Sequence, residues 1–135
     1  MPFVDTNVLL YRVSTDPDEA DKQAIATRIL EADDLFVSVQ VLQEFYTQAT
    51  RSSRPDALHH DEAFALIESW KRFSIQEITV QLLDAALIAK ERWQLSYWDA
   101  AIIEAARFSK CATVLSEDFN AGQNYGGVTV VNPFI

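Results

Sequence analysis

Apolar positions along this chain switch repeatedly between short continuous runs and a helical period. Pro2-Phe3-Val4 is a short apolar run closed by Asp5-Thr6-Asn7, and Val8, Leu9, Leu10 and Tyr11 follow it. The run predicts a strand and the stretch behind it a helical turn capped by Thr6. Ser14-Thr15-Asp16-Pro17-Asp18 is a turn cluster, after which Ala20, Ala24, Ile25, Ile29 and Leu30 recur at helical spacing from Glu19 until Asp33-Asp34. Leu35 to Val39 is apolar and β-branched over a strand's length, and Val41, Leu42, Phe45, Tyr46 and Ala49 return to the 3.6 period. Beyond the break at Ser52-Ser53-Arg54-Pro55, the pattern predicts a helix from about Asp61 to Phe73 carrying Phe64, Ile67 and Trp70. A strand Ile75 to Thr79, a helix Leu82 to Trp93, a helix opened by Ser96 and running through Ala106, and strands Ala112 to Leu115 and Val128 to Val131 complete the chain.

Strands separated by helices imply a mostly parallel sheet and an α/β fold, a three-layer α/β/α sandwich. The length of 135 residues, the absence of repeats, and four prolines confined to turns or chain ends leave one domain, residues 1–135. With 49% hydrophobic and 23% charged residues, that domain is expected to be globular. Its only glycines are Gly122, Gly126 and Gly127, which excludes both a dinucleotide-type glycine motif and a Walker loop. Cys111, His59 and His60 are too few for a structural zinc site, and a lone cysteine forms no intrachain disulfide. Asp5 interrupts the opening run too early for a signal peptide, so a reducing cytoplasmic location is expected. No run approaches the ~18 apolar residues of a membrane span, and no membrane partner is expected. Twenty acidic against eleven basic residues give a net charge of −9, which repels a polyanion at long range. Any nucleic-acid function must therefore work through local basic patches and bound cations.

In open α/β sheets, ligands collect beyond the C-terminal ends of the strands. Asp5 directly follows the first predicted strand, and Ser116-Glu117-Asp118 directly follows the strand ending at Leu115. Glu44 lies on a polar stripe with Gln40, Thr47, Gln48 and Arg51 in the helix after the second strand. Asp99 has Ile102, Ile103 and Ala106 at i+3, i+4 and i+7, so a carboxylate occupies the apolar side of its helix. Each acid also has an ordinary reading. Glu44 suits a solvated helix charge, Asp99 a capping box with Ser96, Asp5 a turn with Thr6 and Asn7, and Asp118 an Asx-turn before Asn120. His59-His60 reads as a surface pair, Cys111 as an inert strand residue, and Gly122 to Gly127 as a turn.

Taken together, Phe3-Val4-Asp5-Thr6-Asn7, Glu44, Tyr97-Trp98-Asp99-Ala100-Ala101-Ile102 and Leu115-Ser116-Glu117-Asp118-Phe119 resemble the PIN-domain family, and within it the VapC-like toxin ribonucleases of type II toxin–antitoxin systems. The resemblance spans essentially the whole chain in the same order. It implies an α/β/α sandwich in which Asp5, Glu44, Asp99 and Asp118 bind Mg2+ or Mn2+ and catalyse RNA cleavage, with Thr6, Asn7 and Ser116 as polar support. It also implies a small antitoxin protein that blocks the acidic groove, and a homodimer. Glu117 stands where family members vary and is expected to face solvent.

The chemistry is consistent with such a set. At ~5 Å and an effective dielectric of ~20, each carboxylate pair repels by roughly 3 kcal/mol, so four together call for a counter-charge. An all-oxygen donor set favours Mg2+ or Mn2+ over zinc or copper. Arg51, two turns beyond Glu44, and Arg54 in the following loop are placed to reach RNA backbone phosphates, although they equally suit a solvated helix end. Trp98, Tyr97 and Tyr46 are candidates to stack an unpaired base, against the ordinary reading of core aromatics. A receiver-like site lacks its lysine at Val131-Asn132-Pro133, and a dehalogenase-like site would need an acid where Asn7 stands. The remaining rival is a catalytically inactive PIN-like protein-interaction module whose acids receive a basic peptide.

Overall fold

In a computed structural model describing residues 1–135, the chain runs β1 (Phe3–Val4), α1 (Thr6–Arg12), a 3-10 turn (Pro17–Glu19), α2 (Ala20–Leu30), β2 (Phe36–Ser38) and α3 (Val39–Ala49). It continues through α4 (His60–Trp70), β3 (Ser74–Gln76), α5 (Val80–Trp93), α6 (Tyr97–Phe108), β4 (Thr113–Leu115) and β5 (Thr129–Val131). The five strands form one sheet in the order β3-β2-β1-β4-β5, every pair parallel, with Phe3 aligned to Phe36 on one side and Val114 on the other. The α/β sandwich expected from the sequence is the fold observed.

Strand β1 takes the centre because both its residues are apolar and fully buried, as a strand covered on both faces requires. The chain builds outward from it to β2 and β3, then returns to its other side for β4 and β5. The order therefore reverses between β1 and β4, and a crevice opens beyond their C-terminal ends. Both acid-bearing strand ends, Asp5 and Ser116-Glu117-Asp118, lie at that reversal.

Capping fixes several boundaries differently from the periodicity. Thr6 does not cap α1; it is the first helical residue, and Asp5 is the cap, its Oδ1 accepting from the Thr6 amide at 2.7 Å. Val39 leaves the predicted strand to begin α3 because the Ser38 hydroxyl accepts from the Val41 amide. Strand β3 stops at Gln76, since Thr79 is used to cap α5 through the Leu82 amide at 3.1 Å. Helix α4 ends at Trp70, with Phe73 buried in the turn that follows; Phe64 is exposed, and Ala63 and Trp70 form the core face instead. Trp70 meets Phe45 edge-on at 4.8 Å, which seats α4 on α3.

The C-terminal loop is held by the Arg107 guanidinium, which donates to the Tyr125 and Gly126 carbonyls and pairs with the buried Glu104. Gly126 and Gly127 both have positive φ there, the conformation that lets the two carbonyls turn toward one side chain. His60 bonds Tyr46 at the surface, and Cys111 is buried and free. No helix is long and apolar enough to cross a membrane.

Candidate metal and active site

Asp5, Glu44, Asp99 and Asp118 line a single cleft of about 140 Å³ at the sheet reversal, with Thr6, Asn7, Leu10, Gln48, Trp98 and Ile102. Larger depressions exist, among them an apolar groove between α3 and α4, but that groove contains no acid and lies apart from this chemistry.

Asp5 is 6% exposed at the tip of the central strand. Its Oδ2 accepts from the Ser116 hydroxyl at 2.8 Å while its Oδ1 caps α1. Burial pushes its pKa up to about 7; the Ser116 and Thr6 bonds oppose the rise, and the Asp118 and Glu44 charges add to it. Ser116 is fully buried and fully used, donating to Asp5 and accepting from Asn7 Nδ2 at 2.9 Å and from the Asp118 amide at 3.0 Å. Asn7 also donates to Asp118 Oδ2 at 3.3 Å and accepts from the Glu117 amide at 3.3 Å, so α1 fastens the turn after β4.

Glu44 is not a free surface charge. Its Oε2 accepts from the Thr6 hydroxyl at 2.9 Å and its Oε1 from Gln40 Nε2 at 2.8 Å. Gln40, expected on an outward polar stripe, is buried, and it also donates to the Trp98 carbonyl at 3.2 Å. It thereby couples α3 to the first turn of α6, a role visible beforehand only as a glutamine four residues before Glu44 on the same helix face. Asp99 keeps half of a capping box: the Ser96 hydroxyl accepts from the Asp99 amide at 3.1 Å, and no return bond from the Asp99 carboxylate to the Ser96 amide is made. Its carboxylate lines the cleft instead. Burial raises its pKa against the pull of Ser96, with the Asp118 and Glu44 charges adding to the rise.

Two sequence expectations change. Glu117 does not face open solvent; it turns away from the cleft to accept from the Tyr11 hydroxyl at 2.5 Å and from Lys22 Nζ at 3.0 Å. Burial and the Glu117 bond raise the tyrosine pKa, and the Glu117 bond foremost raises that of Lys22. The two arginines also separate. Arg54, paired with Asp56 at 2.7 Å, lines a depression of about 260 Å³ that adjoins the cleft through Asn7, Leu10, Gln48 and Asp118. Arg51 is exposed past the end of α3 and lines neither.

No three acidic, histidine or cysteine side chains are gathered into a ready-made metal cage. The donor set nonetheless suits a hard divalent cation. It offers only oxygens, and two of its carboxylates are raised in pKa by burial and by their acidic neighbours, a strain that a cation relieves.

This is an α/β/α domain with an acid-lined crevice at the switch point of a five-stranded parallel sheet. The chain belongs to the PIN domain family, whose profile matches residues 3–125. No curated protein sequence matches it. Among solved structures it is similar to a toxin–antitoxin complex from Klebsiella pneumoniae, with 17% identity, coverage of 98% of each chain and a TM-score of 0.71. It is also similar to VapC20 of Mycobacterium tuberculosis, a toxin that cleaves the sarcin-ricin loop, with 20% identity, 89% of this chain and 92% of that one covered, and a TM-score of 0.66. A third similar structure is VapBC2 from Rickettsia felis bound to a DNA fragment from its promoter, with 13% identity, 95% of each chain covered and a TM-score of 0.64.

Proposed function

We propose that this protein is a metal-dependent endoribonuclease that hydrolyses RNA phosphodiester bonds, and that it is the toxin of a toxin–antitoxin pair. The observation that carries this reading is the convergence of Asp5, Glu44, Asp99 and Asp118 on one cleft, with Asp5 buried among like charges. These four carboxylates would hold Mg2+ or Mn2+. When bound, the ion supplies charge neutralisation at the scissile phosphate and Lewis-acid activation of water.

The protein's own contribution is orientation. Ser116 and the Thr6 amide fix the two oxygens of Asp5, Thr6 and Gln40 fix those of Glu44, and Asn7 holds Asp118 in place. Loss of such support for ligand carboxylates typically costs about 10–100-fold in metal affinity or activity. Arg54 on the adjoining wall is the better placed of the two arginines to meet a flanking phosphate.

The similarity to toxin–antitoxin complexes supports a small antitoxin as partner, inserting a basic side chain into the acidic cleft. Val80, Leu83 and Leu87 form an exposed apolar stripe along α5, which supports a homodimer. The lone buried cysteine suits the reducing cytoplasm. That no three of these side chains are gathered into a ready-made cage favours the non-catalytic interaction module as second reading. Calorimetric titration with Mn2+, paired with an RNA cleavage assay on the wild type and Asp99→Asn, separates the two. Metal binding and cleavage that fall together support the hydrolase, whereas no heat and no cleavage at millimolar metal support the module.

A further inference from the structure

We propose that Trp98 is a substrate-binding residue of the cleft, its indole face stacking an unpaired nucleobase beside the scissile phosphate. The proposal rests on the ribonuclease reading and adds to it the residue that receives the base.

Three observations carry it. First, Trp98 is 64% exposed, and it is the only one of the exposed large apolar side chains that lines the acidic cleft. The other tryptophans are built into the fold, Trp70 against Phe45 and Trp93 edge-on to Tyr125 at 5.6 Å. The other candidate aromatics are engaged too: the Tyr46 hydroxyl bonds His60, and the half-buried Tyr97 lies against Trp98 itself. An indole left in water at the rim of a cleft has its apolar face free for a ligand.

Second, the residue is fixed at its backbone and its ring has a neighbour. The Trp98 main-chain carbonyl accepts from buried Gln40 in the first turn of α6, and the Tyr97 ring stands against the indole at 5.0 Å and 82°. A platform whose backbone is already fixed loses less conformational entropy when a base lands on it. Third, the lining of the cleft includes no lysine or arginine, and Arg54 on the neighbouring wall is already paired with Asp56. In a protein of net charge −9, the chain's own grip on RNA near the cleft must come largely from non-ionic contacts. Stacking is such a contact, and it needs a base whose face is not already covered, which duplex RNA does not offer.

The test uses oligoribonucleotides carrying 2-aminopurine at successive positions, as a single strand and as the stem of a hairpin, with the full-length protein in Ca2+ in place of Mg2+. Quenching of one 2-aminopurine position in the single strand, lost in Trp98→Ala and kept in Trp98→Phe, is the expected result. Affinity for the single strand should fall about tenfold in Trp98→Ala, from a stacking contribution of ~1.4 kcal/mol within the usual range, with little change for the stem. Equal losses for stem and strand, or unchanged affinity in Trp98→Ala with cleavage intact, would overturn the assignment while leaving the hydrolase reading in place. A changed oligomeric state with unaltered RNA affinity would give Trp98 to a protein interface instead. Wild-type protein that neither binds nor cleaves any of these RNAs in Mg2+ or Mn2+ would remove both.

Discussion

Replacing Asp5 by Asn should make the metal-free protein more stable at pH 8 while removing its metal site. The folded pKa of Asp5 is about 7 against an ordinary value of 3.8, because burial outweighs its two hydrogen bonds. Below pH 3.8 the carboxyl is protonated in both the folded and unfolded chains. Between 3.8 and 7 only the folded chain holds the proton, so stability falls as pH rises through that window and levels off above it. About three pH units at 1.36 kcal/mol each amount to a loss of ~4 kcal/mol at pH 8. Asn carries no charge to desolvate, but it has one acceptor oxygen where Asp5 uses two, and one lost bond costs about 1–1.5 kcal/mol. The variant should therefore lead by roughly 2–3 kcal/mol at pH 8 and be about level near pH 5. Urea unfolding of both proteins in EDTA from pH 5 to 8, at fixed ionic strength and with matched m-values, reads the difference directly, since titrations common to both cancel. A difference that stays flat with pH, or a wild type that is more stable at pH 8, would refute the account of Asp5 as a carboxylate strained by burial.

Adding Mg2+ or Mn2+ at pH 8 should raise the wild-type melting temperature, by the equivalent of about 2.7 kcal/mol at one hundred times Kd, and Asp5→Asn should lose most of that shift; scanning calorimetry measures both. Asp99→Asn and Glu44→Gln should each lower metal-dependent cleavage about a hundredfold or more while circular dichroism and cooperative unfolding persist, since supporting residues alone account for 10–100-fold at metal sites. Arg54→Ala should weaken RNA binding and reduce its log–log salt slope by less than one, because Asp56 already takes part of its charge, whereas Arg51→Ala should leave the slope unchanged; anisotropy titrations across salt concentrations distinguish the two.

The parts of this architecture that follow from burial were readable in the sequence. Phe3-Val4 and Val114 had to be strand interiors, and the apolar period placed every helix. The acids at strand ends then followed from where an open parallel sheet collects ligands. Side-chain hydrogen bonds were not readable, because their partners are distant in the chain. Thr6 looked like a cap and proved to hold Glu44, 38 residues away, leaving the cap to Asp5. Glu117 was expected to face solvent because it stands where family members vary; its partners Tyr11 and Lys22 come from 106 and 95 residues off. Gln40 read as part of a wet stripe because the Trp98 carbonyl it meets is likewise distant in the chain. The arginines differ through the path of the chain after α3, which turns Arg54 toward Asp56 and leaves Arg51 outside.

The bond from Ser116 to Asp5 closes a span of 111 residues, and the Asp5 amide donates to the Leu115 carbonyl at 3.1 Å across the same strand pair. Joining residues so far apart is an entropic step that local helix formation cannot prepare, so the crevice exists only where β1 and β4 are paired. The Asp5 amide should accordingly exchange with solvent deuterium only through opening of the whole domain, at the free energy of global unfolding. A partly folded chain that keeps its helices has no crevice at all. A core substitution that raises the unfolded population, such as Phe45→Ala, should lower activity by at least that fraction, because molecules without the β1–β4 pairing carry no crevice.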